Sequence, residues 1–422
     1  MHEAIAAHLD HPWKLRVNKA TMLVGMTACE KAIRAVSDGS VRTKLLRNYA
    51  KRRVAGIDAS ISDIRDVLAG ASTVVDSFHV TLRLTGTAKE LRQMFLLARE
   101  ASSMYFIDIV QSKGGVPDLK QCLNLVSIGD RVCEHLTVPP DLTKCTHLTT
   151  IGAQTFCRLM APPDLTNCAN LTTIGDRAFI QLRTPPDLSK CTKLTTIGRE
   201  AFQSLEQPPD LANCTNLTTI GDRAFIKLRT PPDLSKCTKL TTIGREAFQS
   251  LEQPPDLANC TSLITIGDSA FNNLTDPPDL TSCTNLTTIE DRAFMKLRTP
   301  PDLSKCTNLI TIGVGAFNNL TEPLDLTSCT NLTTIGARAF YNLTVPPDLT
   351  SCTNLTTIGA EAFYNLKETP DLTSCTNLTT IGARAFYNLT EPPDLTSCTW
   401  SVLQFDGASG SHQLHQPDLY CV

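Results

Sequence analysis

A cysteine returns every 23 residues, at positions 122, 145, 168, 191, 214, 237, 260, 283, 306, 329, 352, 375 and 398, with no insertion between any two. A chain of 422 residues has room for two or three ordinary domains, but a fixed period of this kind dictates an array of stacked units. The unit reads P-P-D-L-T-x-C-T-x-L-T-T-I-G-x-x-A-F-x-x-L-x-x. Phe156 to Phe386 keep the same step, with Cys133 in the phenylalanine place of the first unit. One unit offers a handful of large apolar side chains, for example Leu378, Ile381, Phe386, Leu389 and Leu395. Their burial falls well short of the conformational entropy lost in ordering the unit. Neighbours must therefore bury each other's faces, and the ends must be capped.

The period lies within the roughly 20–29-residue range of leucine-rich repeats, whose signature is L-x-x-L-x-L-x-x-N/C-x-L. Leu324-Asp325-Leu326-Thr327-Ser328-Cys329, followed by Leu332, fits it, and other units carry Pro in place of Leu324. Proline cannot donate to a ladder, so the spacing predicts a short strand over P-D-L-T-x-C that begins at the proline, with Cys inward and Asp outward. Carboxylates stacked at strand spacing, about 4.8 Å, repel one another, so the aspartates should face solvent or accept backbone N–H groups. The glycine after the isoleucine, Gly129 through Gly382, marks a site of positive φ or close backbone approach. Glu290 stands there once, which implies tolerance.

The I-G-x-x-A-F module, as in Ile381-Gly382-Ala383-Arg384-Ala385-Phe386, together with the 23-residue period, resembles the BspA-like (Treponema pallidum type) leucine-rich repeats over about residues 116–399. That family's usual unit has an I-x-I-P strand and Cys or Asn soon after A-F. Here Leu389 holds that place, and Cys belongs to the P-D-L segment. The resemblance implies a leucine-rich-repeat solenoid of short parallel strands, about 13 repeats of 23 residues. It also implies a protein ligand bound over a broad concave face. The family is associated with host-attached bacteria and some eukaryotic microbes, in adhesion or host-protein contact, which implies a host-interaction protein or effector.

The flanks differ in kind. Residues 1–115 hold 17 Lys/Arg against 11 Asp/Glu, and the remainder 22 against 31. Neither part has the basic field of a dedicated nucleic-acid binder. Residues 1–115 read as a small, mainly α-helical domain with helices over 1–36, 41–57, 60–69 and 87–110, the last with Thr87 and Glu90 as a capping box. Residues 74–84 suit strand or helix, and Gly114-Gly115 marks the boundary to the solenoid, 116–399. The helix from Val41 to Ile57 carries Arg42, Lys44, Arg47, Lys51, Arg52 and Arg53. It is either a solvated face or a contact for an anionic partner or membrane surface. Residues 400–422 follow as a C-terminal cap (Trp400, Val402, Leu403, Phe405) and a disordered tail from 407. The first ten residues lack a secretory pattern and no run is long enough to span a bilayer, so a cytoplasmic product, or one translocated without a classical signal, is expected.

Candidate chemistry is sparse. Cysteines 23 residues apart do not make a C-x₂-C zinc pair, and a ladder of like-directed thiols does not suit disulfides, which leaves buried free thiols acting as small apolar residues. Asn-Leu-Thr, as at Asn331, Asn354, Asn377 and Asn388, matches a glycosylation sequon only as a by-product of the repeat. No phosphate loop, H-E-x-x-H or G-x-S-x-G is present, and neither metal nor cofactor is expected. The columns that vary are more informative. Arg183, Glu206, Arg229, Glu252, Asp276, Arg298 and Glu322 follow the A-F-x-x-L leucine in or near one row, with alternating sign. This row is expected to enter the strand and approach the concave face. It either laces rungs together or contacts a partner. Residues 174–219 and 220–265 are near-copies, differing at Gln181/Lys227, Asn216/Ser262 and Thr218/Ile264. Such duplication suits an array that changes length and not a unique catalytic constellation. The leading expectation is a monomeric, non-catalytic scaffold for protein–protein interaction. The alternative is an effector enzyme with its activity in residues 1–115, where Cys29, His79 and His11 are the nucleophile-type candidates and the repeats select the substrate.

Overall fold

The computed structural model describes the backbone of residues 57–59, 80–87 and 105–113, and both backbone and side chains of residues 119 and 125–398. The chain divides into two compact units, Met1–Phe179 and Ile180–Val422. In the first, strands β1 (Ile57–Ala59), β2 (Val80–Thr87), β3 (Tyr105–Lys113), β4 (Leu125–Ile128), β5 (Thr150–Ile151) and β6 (Thr173–Ile174) pair in chain order, all parallel. In the second, nine two-residue Thr-Ile strands, β7 (Thr196–Ile197) through β15 (Thr380–Ile381), do the same. The repeats thus form a parallel β-solenoid of the leucine-rich type. Twelve strands, β4 to β15, are described, one after each cysteine position of the column from 122 to 375; residue 122 and the residues after Cys398 lie outside those described.

The strand does not lie where P-D-L was expected to place it. P-D-L-T-x-C forms a turn, and the strand is the Thr-Ile pair further on. The reason is local chemistry. Asp233 Oδ1 accepts the backbone N–H of Ser235 at 2.9 Å and its hydroxyl at 2.6 Å, and Asp302, Asp348 and Asp394 repeat the arrangement on Ser304, Thr350 and Thr396. This local bonding fixes a turn, and Cys237 N–H then reaches back to Leu234 O at 2.9 Å. The β-branched run Thr-Thr-Ile takes the extended place instead. The aspartates do face solvent, and they do accept backbone N–H groups.

Strand pairing is short, but bonding between rungs is not. Around β9 (Thr242–Ile243), Thr242 and Gly244 donate to Thr218 O and Ile220 O at 3.2 and 2.8 Å. Arg223 and Phe225 donate forward to Arg245 O and Ala247 O at 2.7 and 3.0 Å. Inside the middle rungs the Leu, Cys, Leu, Ile, Ala, Phe and Leu columns are fully enclosed, as at Leu234, Cys237, Leu240, Ile243, Ala247, Phe248 and Leu251. Phenylalanine rings of successive rungs stack, with centroids 5.5 Å apart for Phe225 and Phe248 and 5.7 Å for Phe248 and Phe271.

The glycine column serves close approach and not positive φ. A Cβ on Gly244 would lie 2.6 Å from Asp222 N, and one on Gly313 would lie 2.5 Å from Glu290 C. Positive φ belongs two residues later, at Arg131, Gln154, Arg177, Glu200, Arg223, Glu246, Ser269, Arg292, Arg338, Glu361 and Arg384, with Gly315 as the glycine of that column. The tolerance inferred from Glu290 therefore does not come from the left-handed region. Glu290 instead keeps its rung bonded, donating to Ile266 O at 2.9 Å while its Oε2 accepts Asp268 N–H at 2.9 Å.

In residues 1–115 the described segments are strands. The helix expected over 87–110 is corrected at both ends: Thr87 closes β2 and Tyr105 to Val110 lie in β3. Tyr105-Phe106-Ile107-Asp108-Ile109-Val110 is aromatic and β-branched, and pairing with β2 and β4 favours the extended form over its partly helical spacing. Residues 74–84, read as strand or helix, contribute to strand β2, and Ile57, the expected end of a helix, begins β1. The expected helices over 1–36 and 60–69, most of 41–57, the middle of 87–110, and the cap at 400–405 lie outside the described residues.

Candidate functional site

Two charged rows run along the second unit, the first exposed and the second partly buried. The first is the row expected from sequence, and its position needs correction. Arg183 and Glu206 sit in the turn between the A-F-x-x-L leucine and the following prolines. A whole P-P-D-L-S-K-C-T-K-L-T segment separates Arg183 from β7, so the row does not enter the strand. Glu206 and Glu252 donate backbone N–H groups to Arg183 O and Arg229 O at 3.0 and 2.9 Å, which aligns the side chains rung on rung. Arg183 meets Glu206 at 3.6 Å and Arg229 meets Glu252 at 3.1 Å, with all four side chains 63–76% exposed. Pairs so exposed contribute about 0–1 kcal/mol each. Asp276, Arg298 and Glu322 are exposed in the same turns, with no ion pair among the described residues. The carbonyl of Arg298 accepts the N–H of Thr321, which sets Glu322 beside it.

The second row was not foreseen, and it is the column of positive φ. Its backbone is turned so that N–H groups reach the next rung, as Glu200 does to Asp222 O and Glu246 to Asp268 O, each at 2.7 Å. The side chains then stack outside the strand. Arg223 binds Glu246 through two bonds, Nε to Oε2 at 2.7 Å and Nη2 to Oε1 at 3.1 Å, and approaches Glu200 at 3.9 Å. Arg199 meets Glu200 at 3.2 Å, and Arg245 bridges Glu246 and Asp268 at 3.0 and 3.3 Å. Further along, Arg338 meets Glu361 at 2.6 Å. The Arg223 guanidinium, as hydrogen-bond donor and neighbouring charge, holds the Glu246 carboxyl below its ordinary range, and Glu246 raises Arg223 in turn. The signal that would have found this row is the charge that stands two places after the glycine in most units. Sequence reasoning assigned the unusual backbone to the glycine itself and so passed over it.

The described cysteines of the column are poorly placed to act as nucleophiles. Twelve of the column, Cys145 to Cys398, are free thiols and buried, and burial pushes Cys214, Cys260 and Cys283 up to about 12. Most donate to a backbone carbonyl of another rung, as Cys237 Sγ does to Cys214 O at 3.7 Å. Cys29, His79 and His11 lie outside the described residues. Among the described residues no three His, Cys, Asp or Glu are grouped to hold a metal ion, and no helix is long and apolar enough to cross a membrane.

A model of the BspA type leucine rich repeat region matches in six copies, over residues 127–253, 241–346 and 346–399. No curated protein matches the chain. Among solved structures, the leucine-rich repeat domain of the type III effector XopL aligns over 95% of this chain and 94% of that one, at 14% identity and a TM-score of 0.13. The family match covers well over half of the sequence and falls on the rungs described above: the chain belongs to the BspA-type leucine-rich repeat family.

Proposed function

We propose that the chain is a non-catalytic scaffold for protein–protein interaction, with residues 116–399 as the binding array and the charged row from Arg183 to Glu322 as its contact surface. One observation supports this above others: the apolar columns that repeat are buried, while the row from Arg183 to Glu322, which changes from rung to rung, is exposed throughout. Arg223 and Arg229 lie on one rung and Glu246 and Glu252 on the next, so two rows alternate in step. A protein surface of complementary charge is recognised by such a pattern through orientation and on-rate. Internal pairing does not account for the row, because pairs at this exposure add little stability. The family resemblance extends the proposal to a partner from a host, met as an adhesin or effector meets it.

The test compares capture by the full chain with capture by a variant carrying R183E, R229E and R298E, against lysate of a candidate host cell. A partner retained by the parent, weakened at least tenfold by the triple reversal and by raised salt, agrees with the proposal. Equal capture by both proteins assigns binding elsewhere.

A further inference from the structure

The last described rung differs from those below it. Phe386 and Leu389 are half-buried, whereas every phenylalanine of the column from Phe156 to Phe363 is fully enclosed. Beside them Tyr341, Tyr364 and Tyr387 stack, with ring centroids 4.7 and 4.8 Å apart and planes within 10° of parallel. Tyr387 ends the stack and is 46% exposed. The guanidinium of Arg338 stands 6.0 Å from the Tyr341 ring centre, and that of Arg384 stands 5.7 Å from Tyr387. Stacking of rungs does not require tyrosine in this column. Gln203, Gln249, Asn272 and Asn318 hold the same place in rungs that are equally closed. Tyrosine and arginine together are the residues that dominate protein-binding hot spots.

The rungs below show what this end lacks. The carboxylate that meets Arg338 comes from one rung further on, at Glu361, 2.6 Å away. Three residues after Glu361 comes Tyr364, whose ring lies on Tyr341. The Arg338–Tyr341 pair is thus completed by a Glu-x-x-Tyr from the next rung. Arg223 finds its carboxylate in the same way, at Glu246. At Arg384 the series breaks: no carboxylate among the described residues lies within ion-pair distance, and the position one period on is Gly407. An exposed guanidinium, an open ring face and a half-covered phenylalanine remain.

We propose that this C-terminal rung is a second binding site, for a protein segment bearing an acidic residue followed three positions later by an aromatic one. The segment's carboxylate accepts two N–H groups from Arg384, as Glu246 does from Arg223. Its ring lies on Tyr387 as Tyr364 lies on Tyr341. The site uses different residues from the row at Arg183 to Glu322, so either reading can fail while the other stands.

The test titrates full-length chain into a fluorescein-labelled peptide with the sequence of residues 356–366, which carries Glu361 and Tyr364 in that spacing, and follows anisotropy. Saturable binding is expected, reduced at least tenfold by R384E or Y387A in the protein, and by arginine in place of the peptide's glutamate. Combining R384E with the arginine peptide should restore it, and K239E, at an exposed position outside both proposed sites, should bind as the parent does. Unchanged thermal melting of R384E, with R384Q as a milder second variant, excludes misfolding as the cause. Absence of saturable binding by the parent, or binding indifferent to R384E, overturns the proposal. So does concentration-dependent self-association of the chain that R384E abolishes, which would give this end to a second copy.

Discussion

The column of buried thiols makes the solenoid sensitive to alkali by an amount that can be worked out. Burial pushes Cys260 and Cys283 up to about 12 and Cys237 to about 11, from an ordinary value of 9.0. A group whose folded pKa lies above its unfolded value adds stability that is complete below the unfolded value and is lost as pH rises toward the folded one. The window therefore opens near pH 9 and closes near 11 to 12. At pH 10 an unfolded thiol is mostly thiolate while the folded one is not, which favours unfolding by roughly 1.4 kcal/mol per cysteine. Replacing Cys237, Cys260 and Cys283 by alanine should shrink the stability lost between pH 8 and pH 10 by about 4 kcal/mol. Lysines and tyrosines titrate in both proteins and cancel in the comparison. Urea unfolding of parent and variant at the two pH values, with reductant present, measures the difference. An equal pH loss in the two proteins would mean that these thiols ionise as freely in the folded state as in the unfolded one, and the enclosed ladder would be wrong.

Acid acts on the opposite face. The hydroxyls of Ser235, Ser304 and Thr350, and then their backbone N–H groups, hold Asp233, Asp302 and Asp348 below the ordinary 3.8. Their contribution is present above that value and is lost as pH falls below it. Asparagine at all three keeps the acceptor without the charge, so melting temperature should drop less between pH 4 and pH 2 than in the parent. Phe271 sits between Phe248 and Phe294 at 5.7 and 5.5 Å, and Phe271→Ala should cost about 3–5 kcal/mol in urea unfolding. Two alanine substitutions separate strain from collision. At Gly315, φ +61°, a Cβ meets only Arg292 Cγ at 3.5 Å, and the backbone alone should cost about 1 kcal/mol. At Gly313 a Cβ would lie 2.5 Å from backbone on the neighbouring rung, so Gly313→Ala should be the more damaging in the same assay.

Period, parallel stacking, inward cysteines and solvent-facing aspartates were all legible in the sequence, because each is set by a residue's own preference or by the repeat length. Strand register was not. Both P-D-L and T-T-I offer apolar residues at strand spacing. The choice between them rests on a side-chain bond, Asp233 to Ser235, that no periodicity displays. The same holds for the left-handed backbone at Glu200 and Arg223: glycine marks one strained class of position and close approach marks another, and only the packing of Gly244 on Asp222 tells them apart. The residues of the expected contact row are exposed, and they stand in turns and not on the strand. The bidentate pair of Arg223 and Glu246 lay in plain sequence, and was missed because the rungs that bring it together are 23 residues apart. The span 105–110 misled for a different reason: its aromatic and β-branched residues satisfy both periods, and neighbouring strands decide between them.

Whether a constant buried frame presents variable exposed charges to a protein is decided by hydrogen exchange of the full chain, with and without a captured partner. Binding should slow exchange in the turns that hold Arg229 and Glu252, while the enclosed strands at Thr242 and Thr265 remain as they were. Protection confined to residues 1–115, with those turns unchanged, would contradict the claim.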